Sequence, residues 1–393
     1  MQNTVHTIKL QDGTLFNFKR RFKKHHQTLL SSFEAVNDGR DEQGLRHDLA
    51  MILVVVFWGI LCGQTTLKDC WLSALHNLKF LSGYIDFPHG LPHPTTLSRT
   101  LQVCDVESLV KTVHHWQQVL FGTRLNQSAS FDGKTMNGVH GQDAVRHILS
   151  LFCHTSHQTL SQVGVNDKEN EIPAAKRLFQ TTDITGLTLV ADALHAQKDT
   201  AKTIIDGLAN YLLFVKGNQE ILQEIIAATF ADPLTKTESA SYCEHTRGRH
   251  LTTTVTISNH FDIDDLKKDW AGVSFVGMVE KTGTRTEKET TSFVDERYHF
   301  IASNLYLTAK QAARLVRDHW RIENNLHWQK DFTFHEDQQT LRMGAAPQVM
   351  TFLRSLCIGL FKGLKLASVT NTVKNLQMNP ALHQRFAIAV NIV

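Results

Sequence analysis

The chain has 393 residues, 42% of them hydrophobic and 20% charged, enough for two or three domains with cores of their own and too apolar for a chain that stays disordered. Its formal charge of +3, from 41 Lys and Arg against 38 Asp and Glu, is too small to demand a polyanionic partner, and its distribution says more than its sum. KRRFKKHH runs from Lys19 to His26, and after Asp337 there are six Lys or Arg and no carboxylate through Val393; basic surfaces would then flank an acidic centre, although a solvated face is the commoner meaning of such a run.

In chain order, residues from about 18 to 122 carry a helical pattern. LAMILVVVFWGILC, Leu49 to Cys62, is the longest apolar run. It falls short of the roughly 20 residues that span a bilayer, and no basic n-region with a cleavage site precedes it. It reads as a buried helix of a cytoplasmic protein with no membrane partner. A segment around Trp71 to Leu81 and LVKTVHHWQQVLF continue the helical region. In FPHGLPHPTTLSR between them, Thr95 or Thr96 is the expected N-cap of a helix carrying Arg99. The six cysteines, Cys62, Cys70, Cys104, Cys153, Cys243 and Cys357, form no CxxC pair, which argues against a disulfide scaffold or a zinc ribbon and fits a reducing compartment.

From about residue 128 the texture changes to short β-rich runs: SASFDGK, HILSLFCHT, TLSQVGV, LTLVADAL and YLLFVKGN. EIPAAKRLFQT and AQKDTAKTIIDGL, helical in pattern, separate the third, fourth and fifth. The order β-β-β-α-β-α-β is that of an RNase H-like core. A second β-rich stretch, with Thr252 to Thr256, VSFVGMVEKTG and YHFIAS, interrupts the core before its last helix. That helix is signalled by the capping-box spacing of Thr308 and Gln311 and by AKQAARLVRDHWRIENNLHW, whose amphipathic pattern is expected to continue to about Trp328. The expected organisation is α/β: a helical N-terminal region at 1–125, an RNase H-like domain at 126–345 with a mixed five-stranded sheet and a β-rich insertion at about 225–305, and a helical C-terminal segment at 346–393.

Asp132 closes an apolar strand and is followed directly by Gly133 and Lys134; Asp192 closes LTLVAD. An apolar strand that terminates in Asp places the carboxylate at the mouth of a sheet. Two neighbouring central strands of this kind could share a cation, because Mg²⁺ takes hard oxygen ligands and keeps several waters. Glu323 comes from the last helix, with Lys330 seven residues later and His319 one turn earlier on the same face. An acid and a base on one stripe suit metal binding by the first and a phosphate grip by the second, with two ions clamping the attacking and leaving oxygens of an in-line displacement. Singly, a strand-terminal Asp is more often a turn or cap residue, and Glu323 with Lys330 is otherwise a surface charge pair; the three contexts together carry the reading.

FDGKTMNG (131–138), VNDKENEIP (165–173), LVADALHAQKDTA (189–201), YLLFVKGNQ (211–219) and HWRIENNLHWQKDFTFHED (319–337) resemble, in order and spacing, the insertion-sequence DDE transposases of the H-repeat-associated group. LAMILVVVFWGILCG and GLPHPTTLSRTL resemble the helical region that precedes their catalytic domain, so the likeness extends from about residue 45 to 365. The resemblance implies metal-dependent cleavage and strand transfer of DNA, with Asp132, Asp192 and Glu323, spaced by 60 and 131 residues, as catalytic carboxylates and ligands of two Mg²⁺ (or Mn²⁺) ions. It also implies double-stranded DNA, both terminal inverted repeats and target, as partner, a nucleoid-associated location, and a homodimer on DNA, because both ends must be brought together. In the wider superfamily the Glu helix carries Tyr-x2-Arg-x3-Glu-x6-Lys. Here Glu323 and Lys330 match, while Val316 and His319 occupy the Tyr and Arg positions, with Arg317 or Arg321 as candidate substitutes. Asn166 and Asp167 also depart from the Asp-Glu of relatives.

Lys134 and Lys216 are candidates either for DNA phosphate contact or for structural salt bridges, on equal footing. The remaining candidate DNA contacts are Lys19, Arg20, Arg21, Lys23 and Lys24, Arg99, Arg317 and Arg321, and Arg247 and Arg249 flanking Gly248 in a turn of the insertion. Trp320 and Trp328 would stack on an unpaired base or, as is commoner for Trp at helical spacing, fill core. Cys153 to His157, CHTSH, lacks a second ligand pair for zinc. Two other readings compete: an RNase H-like nuclease without strand transfer, and a domesticated copy that only binds DNA.

Overall fold

The computed structural model describes residues 7–9, 15–17, 28–41, 45–122, 127–139, 145–166, 169–246, 248–261, 263–287, 290–304, 306–366 and 368–392. A short ladder of β1 (Thr7–Lys9) and β2 (Leu15–Asn17) precedes the helices α1 (Leu29–Glu34), α2 (Leu49–Leu61), α3 (Leu67–His76), α4 (Leu78–Leu81), α5 (Pro94–Gln102) and α6 (Val106–Phe121). All thirteen residues of α2 are buried, as a helix that is apolar all round must be, and a Cβ on its Gly59 would meet the Cα of Cys70 at 2.5 Å, so α3 crosses it backbone to backbone. Helix α5 begins one residue before the expected cap: Pro94 takes the first turn, where its missing N–H costs nothing, and the His93 ring caps by accepting from the Thr95 N–H. Among the described residues no helix is long and apolar enough to cross a membrane.

The chain then enters β3 (Ser128–Thr135), β4 (His147–Cys153), β5 (Thr159–Val165), α7 (Glu171–Thr181), β6 (Thr188–Ala191), α8 (Lys198–Asp206) and β7 (Asn210–Val215), the order expected from the sequence. Strands β3, β6 and β7 run parallel, β4 and β5 antiparallel to their neighbours, and the spatial order is β5-β4-β3-β6-β7. This is a mixed α/β core of RNase H-like form behind an N-terminal helical region.

The β-rich insertion does not stand apart from this sheet. After α9 (Glu220–Ala231), strands β8 (Glu238–Thr246) and β9 (Arg249–Ser258), helix α10 (Ile263–Asp269), and strands β10 (Phe275–Glu287) and β11 (Thr290–Ala302) form an antiparallel meander. Its last strand pairs with β7, from His299 opposite Val215 to Ala302 opposite Leu212. The result is one nine-stranded sheet ending at β8. Strand β7 is buried through YLLFV and would otherwise present an unpaired apolar edge.

Helix α11 (Ala309–His319) starts in the expected capping box, Thr308 with Gln311. The helix does not stay α-helical to Trp328: residues Glu323–His327 form a π turn, with the Trp328 N–H donating to the Glu323 carbonyl, before α12 (Trp328–Phe334). Helices α13 (Ala346–Gly363), α14 (Val369–Met378) and α15 (Pro380–Ala389) follow. One apolar core takes in residues of both chain ends, among them Phe57, Trp116, Phe352 and Phe386, and Trp58 of α2 stacks on His383 of α15 at 3.7 Å.

Where α12 meets α13, a group of charges is sealed from water. Glu336 is 0% and Lys330 and Arg354 each 1% exposed, with Arg354 Nη1 3.4 Å from Glu336 and donating to Gln339 at 2.8 Å. Removing one partner of a buried ionic set leaves an uncompensated charge, so Arg354→Ala is expected to cost about 3–5 kcal/mol in urea unfolding; a loss below about 1 kcal/mol would show that the cluster is not sealed.

Candidate metal centre

The parallel pairing of β3 with β6 sets the first two acids. Ser130 lies opposite Val190, and Asp132 and Asp192 each stand two residues further along, at the same level of neighbouring strands about 4.8 Å apart. Asp192 directly follows β6, is exposed, and caps the short 3₁₀ turn Ala193–His195, its Oδ1 accepting from the Leu194 N–H at 3.1 Å. Asp132 lies inside β3, which runs three residues further on its β4 side. The turn after Asp192 is tied down from β7: Asn218 donates to the Ala193 carbonyl at 2.6 Å and Gln219 to that of Ala196 at 2.9 Å. That is a physical role for KGNQ in the YLLFVKGNQ run.

The π turn delivers the third acid. Glu323 Oε2 lies 3.2 Å and Asp132 Oδ2 3.6 Å from the Nδ1 of His327, and the ligand atoms of Asp132, Glu323 and His327 all fall within 4.8 Å of one another. Asp192 is not part of that tight group, but its charge reaches Asp132. Burial, then the carboxylates of Glu171, Asp192 and Glu323, push the Asp132 carboxyl up to about 7. Glu323 is held below the usual carboxylate range, chiefly by its hydrogen bond with His327. The His327 ring is held toward its neutral form by burial. Converging carboxylates fit a divalent ion, and their hard oxygens are the donors that Mg²⁺ or Mn²⁺ accepts, whereas the ring nitrogen of His327 is a softer donor less suited to either.

The residues expected to support this site fare differently. The widened turn swings Lys330 inward, so that the Glu323–Lys330 spacing no longer keeps both on one face. Enclosed beside Glu336, with burial holding its ammonium down to about 8, Lys330 is closed to a DNA phosphate. His319 is corrected likewise: buried against Phe214 at 5.0 Å, and held at about 4 by burial and by the nearby Lys216 charge, it is a neutral core ring. Lys134 pairs with Asp331 at 2.8 Å and lies 3.7 Å from Asp337; it serves as a salt bridge fastening β3 to α12. Lys216 is exposed at the end of β7.

Arg99 and Arg317 are exposed, the latter 5.7 Å from the Tyr242 ring, and Arg321 pairs with buried Asp318 at 2.8 Å. Arg249 is exposed where the β8–β9 hairpin turns. Lys19, Arg20, Arg21, Lys23, Lys24 and Arg247 lie outside the described residues. Trp320 and Trp328 are not core: they are 53% and 42% exposed, and Trp328 stacks on Phe332 at 4.4 Å one turn beyond His327.

Sequence reasoning missed three residues beside the acids. Glu171, the first residue of α7, lies between the Nε2 atoms of His147 at 2.8 Å and His195 at 3.0 Å; opposing its burial, these bonds draw its carboxyl down to about 2. The run NEIP contains Glu171, yet neither histidine lies near it in sequence.

The raised Asp132 carboxyl gives a signed expectation. Its folded value of about 7 lies above the ordinary aspartate value of 3.8, so this group favours the metal-free fold at acid pH and the benefit is lost as pH rises through 7. Asp132→Asn should therefore raise the thermal midpoint of the metal-free chain more at pH 8 than at pH 5; an equal effect at both would rule out the raised carboxyl.

Comparison with known proteins leads to the same place. Residues 30–117 match a family described as DDE_Tnp_1-associated and residues 120–360 one described as "Transposase DDE domain". The chain is 28% identical over 346 residues to "Putative transposase YncI" of Escherichia coli O157:H7, covering 86% of this chain and 88% of that protein. It is also 28% identical over 354 residues to "H repeat-associated putative transposase YhhI" of Escherichia coli (strain K12), covering 86% and 91%. With the catalytic-domain match spanning more than half of its length, the chain belongs to the DDE transposase family.

Proposed function

We propose that the protein is the transposase of an insertion sequence, cutting double-stranded DNA at the terminal inverted repeats and joining the freed 3′-hydroxyl to target DNA. Asp132, Asp192 and Glu323 are the catalytic carboxylates of this reading, holding two divalent ions, Mg²⁺ or Mn²⁺. The observation that carries it is the convergence of Asp132 and Glu323 on His327, with Asp192 capping the turn directly after β6, the strand parallel to β3. When bound, such ions lower the pKa of an attacking water or hydroxyl and offset charge on the phosphate.

The chain's own groups supply position and exclusion. Asp132 must give up its proton for the site to fill, which its position near neutrality allows. His327, neutral and turned toward both acids, holds Glu323 through a hydrogen bond donated by its Nδ1, which makes it a positioning residue for that carboxylate. Trp328 and Phe332, exposed and stacked on each other on the helical segment that follows Glu323, suit stacking on an unpaired base. The helical region 1–125 would grip the element ends, 126–345 would carry out the chemistry with the insertion at about 225–305 alongside, and 346–393 would complete the helical core. Work on two ends calls for a homodimer on DNA in the cytoplasm, at the nucleoid.

Asp192→Ala is expected to lose Mg²⁺-dependent nicking of a duplex carrying the element's own ends by on the order of 10⁴-fold, the scale for removing one member of an interdependent catalytic set, while still shifting that duplex in a gel. Nicking that persists would overturn the assignment, and pre-cut ends that are never joined to target would reduce the activity to that of a nuclease.

A further inference from the structure

Beside the acids lies a hydrogen-bonded chain that crosses three structural elements. It starts at His147, the first residue of β4, whose Nδ1 meets the Thr135 hydroxyl of β3 at 2.8 Å. Its Nε2 donates to Glu171 Oε1, and Glu171 Oε2 accepts from the Nε2 of His195, which closes the turn that Asp192 caps. His195 is 1% exposed and its ring packs on Phe131, the residue before Asp132, at 4.6 Å. Between its two ends the chain passes directly over Gly133: a Cβ there would lie 2.2 Å from Glu171 Oε1 and 2.3 Å from His147 Nε2. The glycine after Asp132 is thus the opening through which the carboxylate reaches across β3.

We propose that His147, Glu171 and His195 form a strut that fixes Asp132 and Asp192 relative to each other, making Glu171 a positioning residue for paired-ion binding rather than a ligand. The geometry favours this over plain structural glue for two reasons. Both arms end on segments that carry a metal-site acid, β3 at Thr135, three residues beyond Asp132, and the turn that Asp192 caps. In addition, Asp192 sits on a turn rather than in a strand, so backbone pairing alone does not fix it. Oxygens that must share ions tolerate only small displacements, and partners just outside the donor set commonly carry about 10–100-fold in metal affinity.

The proposal rests on the metal-centre reading above, and the test separates the two. Mn²⁺ is titrated into the full-length wild type, Glu171→Ala and Glu171→Gln, with bound equivalents and the signal of a coupled Mn²⁺ pair followed by EPR, and thermal midpoints taken in parallel. The expected result is a wild type that shows the coupled pair, a Glu171→Ala variant whose affinity falls about 10–100-fold with the coupled signal lost, and a smaller loss for Glu171→Gln, which keeps one acceptor. A purely structural role would lower the midpoint and leave Mn²⁺ binding by the folded protein unchanged, and that outcome overturns the strut while the metal centre stands. A wild type that binds no Mn²⁺ overturns both. Should Glu171→Ala fail to fold, His147→Asn removes the more exposed arm and must still weaken the pair for the proposal to survive.

Discussion

Like charges brought together at the end of a parallel strand pair are the constraint on which the rest of the site depends. Strands β3 and β6 are joined in register from Ser128 opposite Thr188 to Ser130 opposite Val190, and that pairing brings the segments of Asp132 and Asp192 side by side, although 60 residues separate them. Burial first, and then the charges of Glu171, Asp192 and Glu323, push the Asp132 carboxyl up to about 7. The surrounding groups can be understood as answers to it. His327 hydrogen-bonds to one acid and faces another, Lys134 holds the helix against the sheet, and the demand that remains is for a cation.

The helix that brings Glu323 solves a different problem. It must turn one carboxylate toward the sheet while anchoring itself in the helical core behind. A regular α-helix would send Glu323 and Lys330 along the same face. The π turn decouples them, leaving Glu323 toward the acids and placing Lys330 against Glu336 and Arg354. Such turns occur disproportionately at functional sites, where an irregular backbone is tolerated for what it presents.

Much of this was legible in the sequence, for reasons that differ by element. Strand order and the helices between were readable because apolar runs of five to eight residues bounded by Gly, Asn and Asp are local signals; the start of α11 was readable because Thr308 and Gln311 make a two-residue cap. The acids stood out only as ends of such runs. The docking of β11 on β7 could not be read, since a Thr-rich meander fits many edges and the choice is made by a strand far earlier in the chain, with His299 opposite Val215 and Ala302 opposite Leu212. The π turn was equally hidden, because the amphipathic pattern passes through Glu323 without a break. For Trp320 and Trp328 helical spacing leaves both core and base stacking open, with core the commoner, and the helix face they occupy is turned to solvent. Glu171 lay inside a run that resembles relatives, but its histidines sit 24 residues away on either side, a separation no short motif can encode.

These features divide the labour between backbone and side chain. Asp132, two residues beyond the last β6 pair at Ser130, is fixed by the β4 ladder, which runs past it to Thr135, so little besides a glycine neighbour is required of the sequence around it. Asp192 and Glu323 stand where ladders and regular helix end, on a 3₁₀ turn and a π turn, and each is held by side chains drawn from elsewhere: Asn218 and Gln219 from the end of β7 and His195 through Glu171 for the first, His327 for the second. The runs around these positions therefore do more than present three acids. Their additional residues fasten the two acids that secondary structure leaves free to move, and a change among them would loosen the site without touching a ligand.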